Sequence, residues 1–156
     1  MSINLATKKI LKKWIDFNGH MNVAYYVWIF GIYGADKLMN IFQIGEHLAK
    51  TKKRSTMIVE SHITFNQELI ENDEVDINLV YFDHDKKMLN YKLEMINKKN
   101  KQISSKIEIL SLYVDLIKRK IIFFKDKKIK IMDDYIKKNK KKFKTNNLKF
   151  SSKLTK

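Results

Sequence analysis

The chain has 156 residues and a net charge of +15, from 32 basic and 17 acidic side chains. That length is enough for one domain with a substantial hydrophobic core. The absence of cysteine excludes disulfides, thiolate metal ligands and thiol nucleophiles, and with no proline and four glycines the turns rest on Asn, Asp and Lys.

In chain order, Met1-Ser2-Ile3-Asn4 lacks the basic start and long apolar core of a secretory leader, so a cytoplasmic protein is expected. Residues 9–14 read as a short strand. The most informative stretch follows, Trp14-Ile15-Asp16-Phe17-Asn18-Gly19-His20-Met21-Asn22. An acid, a glycine turn, a histidine and an asparagine stand just ahead of a long apolar run. Asn22 is a natural N-cap, because its side-chain oxygen can accept from a backbone N–H two or three residues on. A helix starting there gathers the Asp16 carboxylate, free backbone donors and the positive end of the dipole in one place. Such groups polarise a carbonyl and attack it beside a fixed acid. Asp16 and Asn22 are equally ordinary turn and cap formers, and by themselves they are open to either reading.

From Met21 to Ala35 no residue is charged, and apolar side chains occupy every face. A helix of that kind is buried on all sides or spans a membrane. This one is too short and too rich in Tyr, Asn and Gly to span. Asp36, Lys37 and the polar residues after Gln43 end it soon afterwards, while Gly31 and Gly34 leave room for another backbone to press close. The prediction is a central helix wrapped by other elements.

The wrapping elements follow. Residues 57–65, 75–81 and 89–95 alternate apolar and polar side chains, the period of half-buried strands. A fourth strand is predicted over 103–114 and a short fifth over 120–124. The connections Glu71-Asn72-Asp73, Asp83-His84-Asp85-Lys86 and Lys98-Lys99-Asn100 are short and polar, so neighbouring strands should be antiparallel. His84, in one of these turns, and His47 read as surface residues. No His, Asp or Glu spacing points to a metal site.

The charge is concentrated at the end. Residues 118–156 hold 16 basic and 3 acidic side chains, a net of +13, whereas residues 1–117 carry only +2. An amphipathic helix is predicted over 126–143, through Ile129, Ile131, Met132, Tyr135 and Ile136. Residues 137–156 read as a solvated basic tail, either solubilising or able to attract a phosphorylated ligand. Nucleic acid is not expected as a partner, because only Phe143 and Phe150 could stack between the lysines.

At this point a family resemblance emerges. Asp16-x-x-Gly19-His20-Met21-Asn22, with Tyr26 and Phe30 downstream, resembles the active-site loop and central helix of hotdog-fold acyl-CoA thioesterases of the 4-hydroxybenzoyl-CoA thioesterase type. Glu60-x-His62-x-x-Phe65, Glu68, Asp83-x-Asp85-Lys86 and Leu112-x-Val114-Asp115 resemble the betainyl-CoA, carnitine-pathway branch of that family. Together these cover about residues 9–124. The resemblance implies an α+β hotdog fold, with a long central helix wrapped by a five- to six-stranded antiparallel sheet. Residues 1–124 would form this domain, followed by a short C-terminal helix and Lys-rich tail over 125–156.

It also implies hydrolysis of a thioester without metal or cofactor, coenzyme A being part of the substrate. Asp16 would be the catalytic carboxylate, as nucleophile through a mixed anhydride or as the base that activates water. The Val23 N–H would hold the thioester oxygen, His20 and Asn22 would brace the loop, and Gly19 would let it turn beside the substrate. Glu60 and His62, two apart on a strand, share a face. Facing inward beside Tyr25, Tyr26 or Trp28, that pair would suit a quaternary ammonium; facing outward, it would meet water or a partner subunit. A homodimer or homotetramer with shared active sites is implied. Its coenzyme A groove would lie at the interface, with Lys52, Lys53, Arg54 and 118–120 as candidate phosphate contacts. Betainyl-CoA is the expected substrate; a short, medium or aryl acyl-CoA, or a non-catalytic acyl-binding role, are the alternatives.

Overall fold

The computed structural model describes residues 2–156. Five strands form one antiparallel sheet: β1 (Ile3–Lys9), β2 (Arg54–Phe65), β3 (Glu74–His84), β4 (Met88–Asn97) and β5 (Ile103–Asp115). Their order is β1-β3-β4-β5-β2, and the short β6 (Lys120–Ile121) pairs with the end of β5. A helix over 23–41 lies on one face; it is α-helical at Val23–Ile29, π-helical at Phe30–Ala35 and α-helical again at Asp36–Ile41. A short helix, Glu46–Lys52, leads into β2, and a third, Asp126–Asn139, follows β6. Among the described residues, no helix is long and apolar enough to cross a membrane. The expected α+β arrangement, one long helix against a curled antiparallel sheet, is present.

The central helix runs past Asp36 and Lys37, which lie on its exposed side while Leu38 and Met39 stay buried behind them, and ends at Ile41, just ahead of the polar residues after Gln43. One boundary differs from expectation. The first strand lies before the predicted 9–14, and Lys12–Trp14 is a 3₁₀ turn. A register shift between Asn4 and Ala6 breaks the alternation that would have marked this strand.

Cross-strand register decides which side chains face the helix. Ile107 stands opposite both Leu93 and Ile63, and Ile109 opposite both Tyr91 and Ser61; these are inner positions. Gly34 is where the helix comes closest to the sheet: a Cβ there would sit 2.6 Å from Leu93 Cδ1 and 3.4 Å from Ile77 Cγ2. Gly31, expected to play the same part, faces open space. Nor is the helix covered all round within one chain. Val23, Val27, Trp28 and Ile32 are between 41% and 55% exposed, so its flank away from the sheet is left apolar and open.

The outer face carries Glu94 and Glu108, and the C-terminal segment runs across it. The Glu108 carboxylate, only 2% exposed, accepts from the backbone N–H of Lys149 (2.6 Å) and Phe150 (2.9 Å) and from Asn90 Nδ2 (3.0 Å). Lys144 donates its backbone N–H to Val80 O at 2.8 Å and its Nζ to Glu94, and the Thr155 N–H reaches Asp85 Oδ2 at 2.9 Å. The tail predicted to be solvated is therefore a fastened strap. Phe150 is buried and Phe143 packs against Tyr81, so neither of the tail's aromatic rings is free to stack on a base. His84 is likewise not a surface residue. At 6% exposure its Nδ1 lies 2.9 Å from Asp85 O and its Nε2 2.6 Å from Asp133 Oδ1, tying β3 to the C-terminal helix.

Candidate active site

The Asp16 loop is a tight hairpin. An isolated bridge pairs Ile15 with Met21. The Asp16 N–H donates to His20 O (3.1 Å), and the Gly19 N–H donates to Asp16 O (3.0 Å). Gly19 sits at φ +79°, the left-handed conformation such loops need and that glycine adopts without strain. The Asn18 N–H donates to Asp16 Oδ1 at 2.8 Å, which fixes one carboxylate oxygen and leaves the other. Among the described residues, that second oxygen meets only Asn22 Nδ2, at a long 3.4 Å.

The loop is held at both ends. Met21 N–H donates to Leu69 O at 2.7 Å and Asn22 N–H to Trp14 O at 2.9 Å. Asn22 Oδ1 then caps the central helix by accepting from Ala24 N at 2.9 Å, as the sequence predicts. Tyr25 N–H is taken up by Asn22 O. Among the described residues, the Val23 amide has no acceptor. His20 Nδ1 lies 3.0 Å from Glu68 Oε2, bracing the loop against the segment that follows β2.

These groups border one cavity of about 390 Å³. Asp16, His20 and Asn22 come from the loop, Val23 and Tyr26 from the first helical turns, and Phe65 and Glu68 from the end of β2 and beyond. Asp16 is half-buried at its rim. Tyr26 packs edge-on against Phe65, ring centroids 5.2 Å apart. Its hydroxyl is held above the usual tyrosine range, chiefly by burial; the Glu68 and Asp73 carboxylates add to this and a hydrogen bond to the Leu69 backbone opposes it. The phenol therefore stays neutral. A fixed carboxylate with a spare oxygen and an unused helix-start amide thus open on the same space.

Other predicted site residues lie elsewhere. Tyr25 and Trp28 join Trp14 in an aromatic cluster, with ring centroids 5.6 to 6.4 Å apart, and neither borders the cavity. Glu60 and His62 do share a face, but it is the outer one: Glu60 pairs with Lys153 of the strap, and His62 stands across from Glu108. The physical reason is the alternation itself, since Ile63 and Phe65 claim the inner side and send their neighbours out. Glu68, quoted only as part of the longer motif, is the carboxylate that does border the cavity. Its position after the strand gave no periodic signal. Among the described residues, no group of three or more His, Asp or Glu side chains is arranged to hold a metal.

The sequence profile of the thioesterase-like superfamily matches residues 10–139. The chain belongs to this superfamily. Over 81 residues this thioesterase-like chain is 30% identical to betainyl-CoA thioesterase from Pseudomonas aeruginosa, covering 52% of this chain and 50% of the relative, so it spans about half that protein's length. A solved Staphylococcus aureus protein in complex with CoA superimposes with a TM-score of 0.76 at 21% identity, covering 96% of this chain and 91% of the other. The 1,4-dihydroxy-2-naphthoyl-CoA thioesterase from Synechocystis gives a TM-score of 0.72 at 11% identity, over 83% and 94% of the two chains. At such identities these structures establish the shared hotdog fold.

Proposed function

We propose that this superfamily member is an acyl-CoA thioesterase in which Asp16 carries the chemistry. The observation that supports this most is the placement of the Asp16 carboxylate and the acceptorless Val23 amide on one cavity at the start of the central helix. A thioester carbonyl seated there would direct its oxygen to the Val23 N–H. The developing negative charge would be stabilised by that donor and by the helix dipole. Loss of one such donor costs about 3 kcal/mol of transition-state stabilisation. The less engaged oxygen of Asp16 would attack the carbonyl and expel coenzyme A as the thiolate, which solvent protonates, leaving an anhydride for water to open, or would take a proton from an attacking water. Asn22 both caps the helix and steers that oxygen, while His20 and Gly19 hold the loop in shape. No cofactor is called for, coenzyme A arriving with the substrate.

Betainyl-CoA is the finer reading of the substrate, supported by the partial match to the Pseudomonas protein and by the motif resemblance. A homodimer is the reading of the assembly. Strand β2 is an edge of the sheet, and Met57, Ile58, Val59 and Phe65 on it are exposed, as is the apolar flank of the helix. Two copies pairing β2 antiparallel about a two-fold axis would cover both. That pairing would also bring Arg54, at one end of β2, toward the partner's cavity, where its charge and those of Lys52 and Lys53 would suit coenzyme A phosphates. Thiol release from a panel of betainyl-, butyryl-, hexanoyl- and benzoyl-CoA tests the reading. Activity that vanishes in Asp16→Asn with the fold intact supports it, and an unchanged rate in that variant removes Asp16 from the mechanism.

A further inference from the structure

The cavity at Asp16 has an unusual charge for this molecule. In a chain with 32 basic side chains, neither lysine nor arginine of the same protomer borders it, whereas two carboxylates do, Asp16 and Glu68. Tyr26 and Phe65 add two aromatic rings to the same wall. Glu68 Oε2 is engaged by His20 Nδ1, but no hydrogen bond occupies its other oxygen among the described residues, and the side chain is 68% exposed. A negative, aromatic-lined space repels an anionic acyl group. It attracts a cation through charge and through the faces of the rings.

Building on the thioesterase reading, we infer that Glu68, rather than Glu60, is the residue that selects an acyl group bearing a quaternary ammonium. Such a cation has no N–H, so it asks for charge and π surface and not for hydrogen-bond geometry. Glu68 can supply its charge while still holding His20. Glu60 cannot serve, because it lies on the outer face of the sheet, and edge-to-edge pairing of two copies would leave that face outside in both.

The test compares two substrates of one shape: betainyl-CoA, and 3,3-dimethylbutyryl-CoA, in which a carbon replaces the charged nitrogen. The full-length protein should favour the cation in kcat/KM. Glu68→Gln should reduce that preference about tenfold, with KM rising more for the cation than for the neutral substrate, and Glu68→Asp should restore most of it. Equal losses on both substrates in Glu68→Gln would overturn the inference and make Glu68 a positioning residue acting through His20. A wild-type protein that hydrolyses the neutral ester without preferring the cation would overturn it too, leaving the thioesterase reading in place. Absence of thiol release from every ester would end both.

Discussion

The Asp16 loop and the C-terminal strap are both irregular segments fastened by a carboxylate that accepts backbone amides, and they differ in what that carboxylate has left over. Glu108 is buried, and its two oxygens are taken by Lys149 N–H, Phe150 N–H and Asn90 Nδ2. Asp16 has one oxygen fixed by Asn18 N–H, the other at 3.4 Å from Asn22 Nδ2 and open to a cavity. A carboxylate with its hydrogen-bonding capacity spent is a structural clamp. One with capacity to spare beside unused donors is equipped for chemistry. Burial alone would have ranked the two the other way.

The contrast can be broken most forcefully at Asp16. Asp16→Asn should lower kcat by at least about 100-fold while the melting temperature stays within a degree or two, measured by thiol release and thermal denaturation on one preparation. Glu108→Ala should do the reverse. Removing a buried acceptor of two backbone amides should cost about 2–3 kcal/mol of stability, with hydrogen exchange accelerated at Lys149 and Phe150 and hydrolysis nearly intact. A strap that stays protected in that variant would show that its lysines, not Glu108, hold it. Two smaller changes sharpen the loop side. Gly19→Ala meets no steric obstacle but forces a side chain into φ +79°, so about 1.5 kcal/mol of stability should be lost. Asn22→Ala removes the cap at about 1 kcal/mol and frees the second Asp16 oxygen. Its effect on kcat should therefore exceed what its melting temperature explains.

Much of the fold was legible because its signals are local. The alternations of β2, β3 and β4, the long run of β5 and the charge-free run of the central helix each show in a few residues. So does the Asp16 loop, where Asp16, Gly19 and Asn22 stand where turn and cap chemistry needs them. Direction was harder to see. The spacing of Glu60 and His62 says that they share a face, while register against β5 says which one. The strap was missed for the same reason: its anchors Glu94, Glu108 and Asp85 lie roughly 40 to 70 residues away in sequence. A run of lysines looks solvated when only the side chains are considered, yet here it is the backbone amides that are bound. His84 was misplaced because its partner, Asp133, is on a helix far along the chain.

The fastening of residues 144–155 has a consequence for how the molecule is made. All six strands leave the ribosome before the strap does. Until it follows, Glu108 sits on the outer face without the Lys149 and Phe150 amides it accepts, and Phe150 has not yet covered the sheet. The sheet can curl around its helix during synthesis, but its back is sealed only when the lysine-rich end arrives.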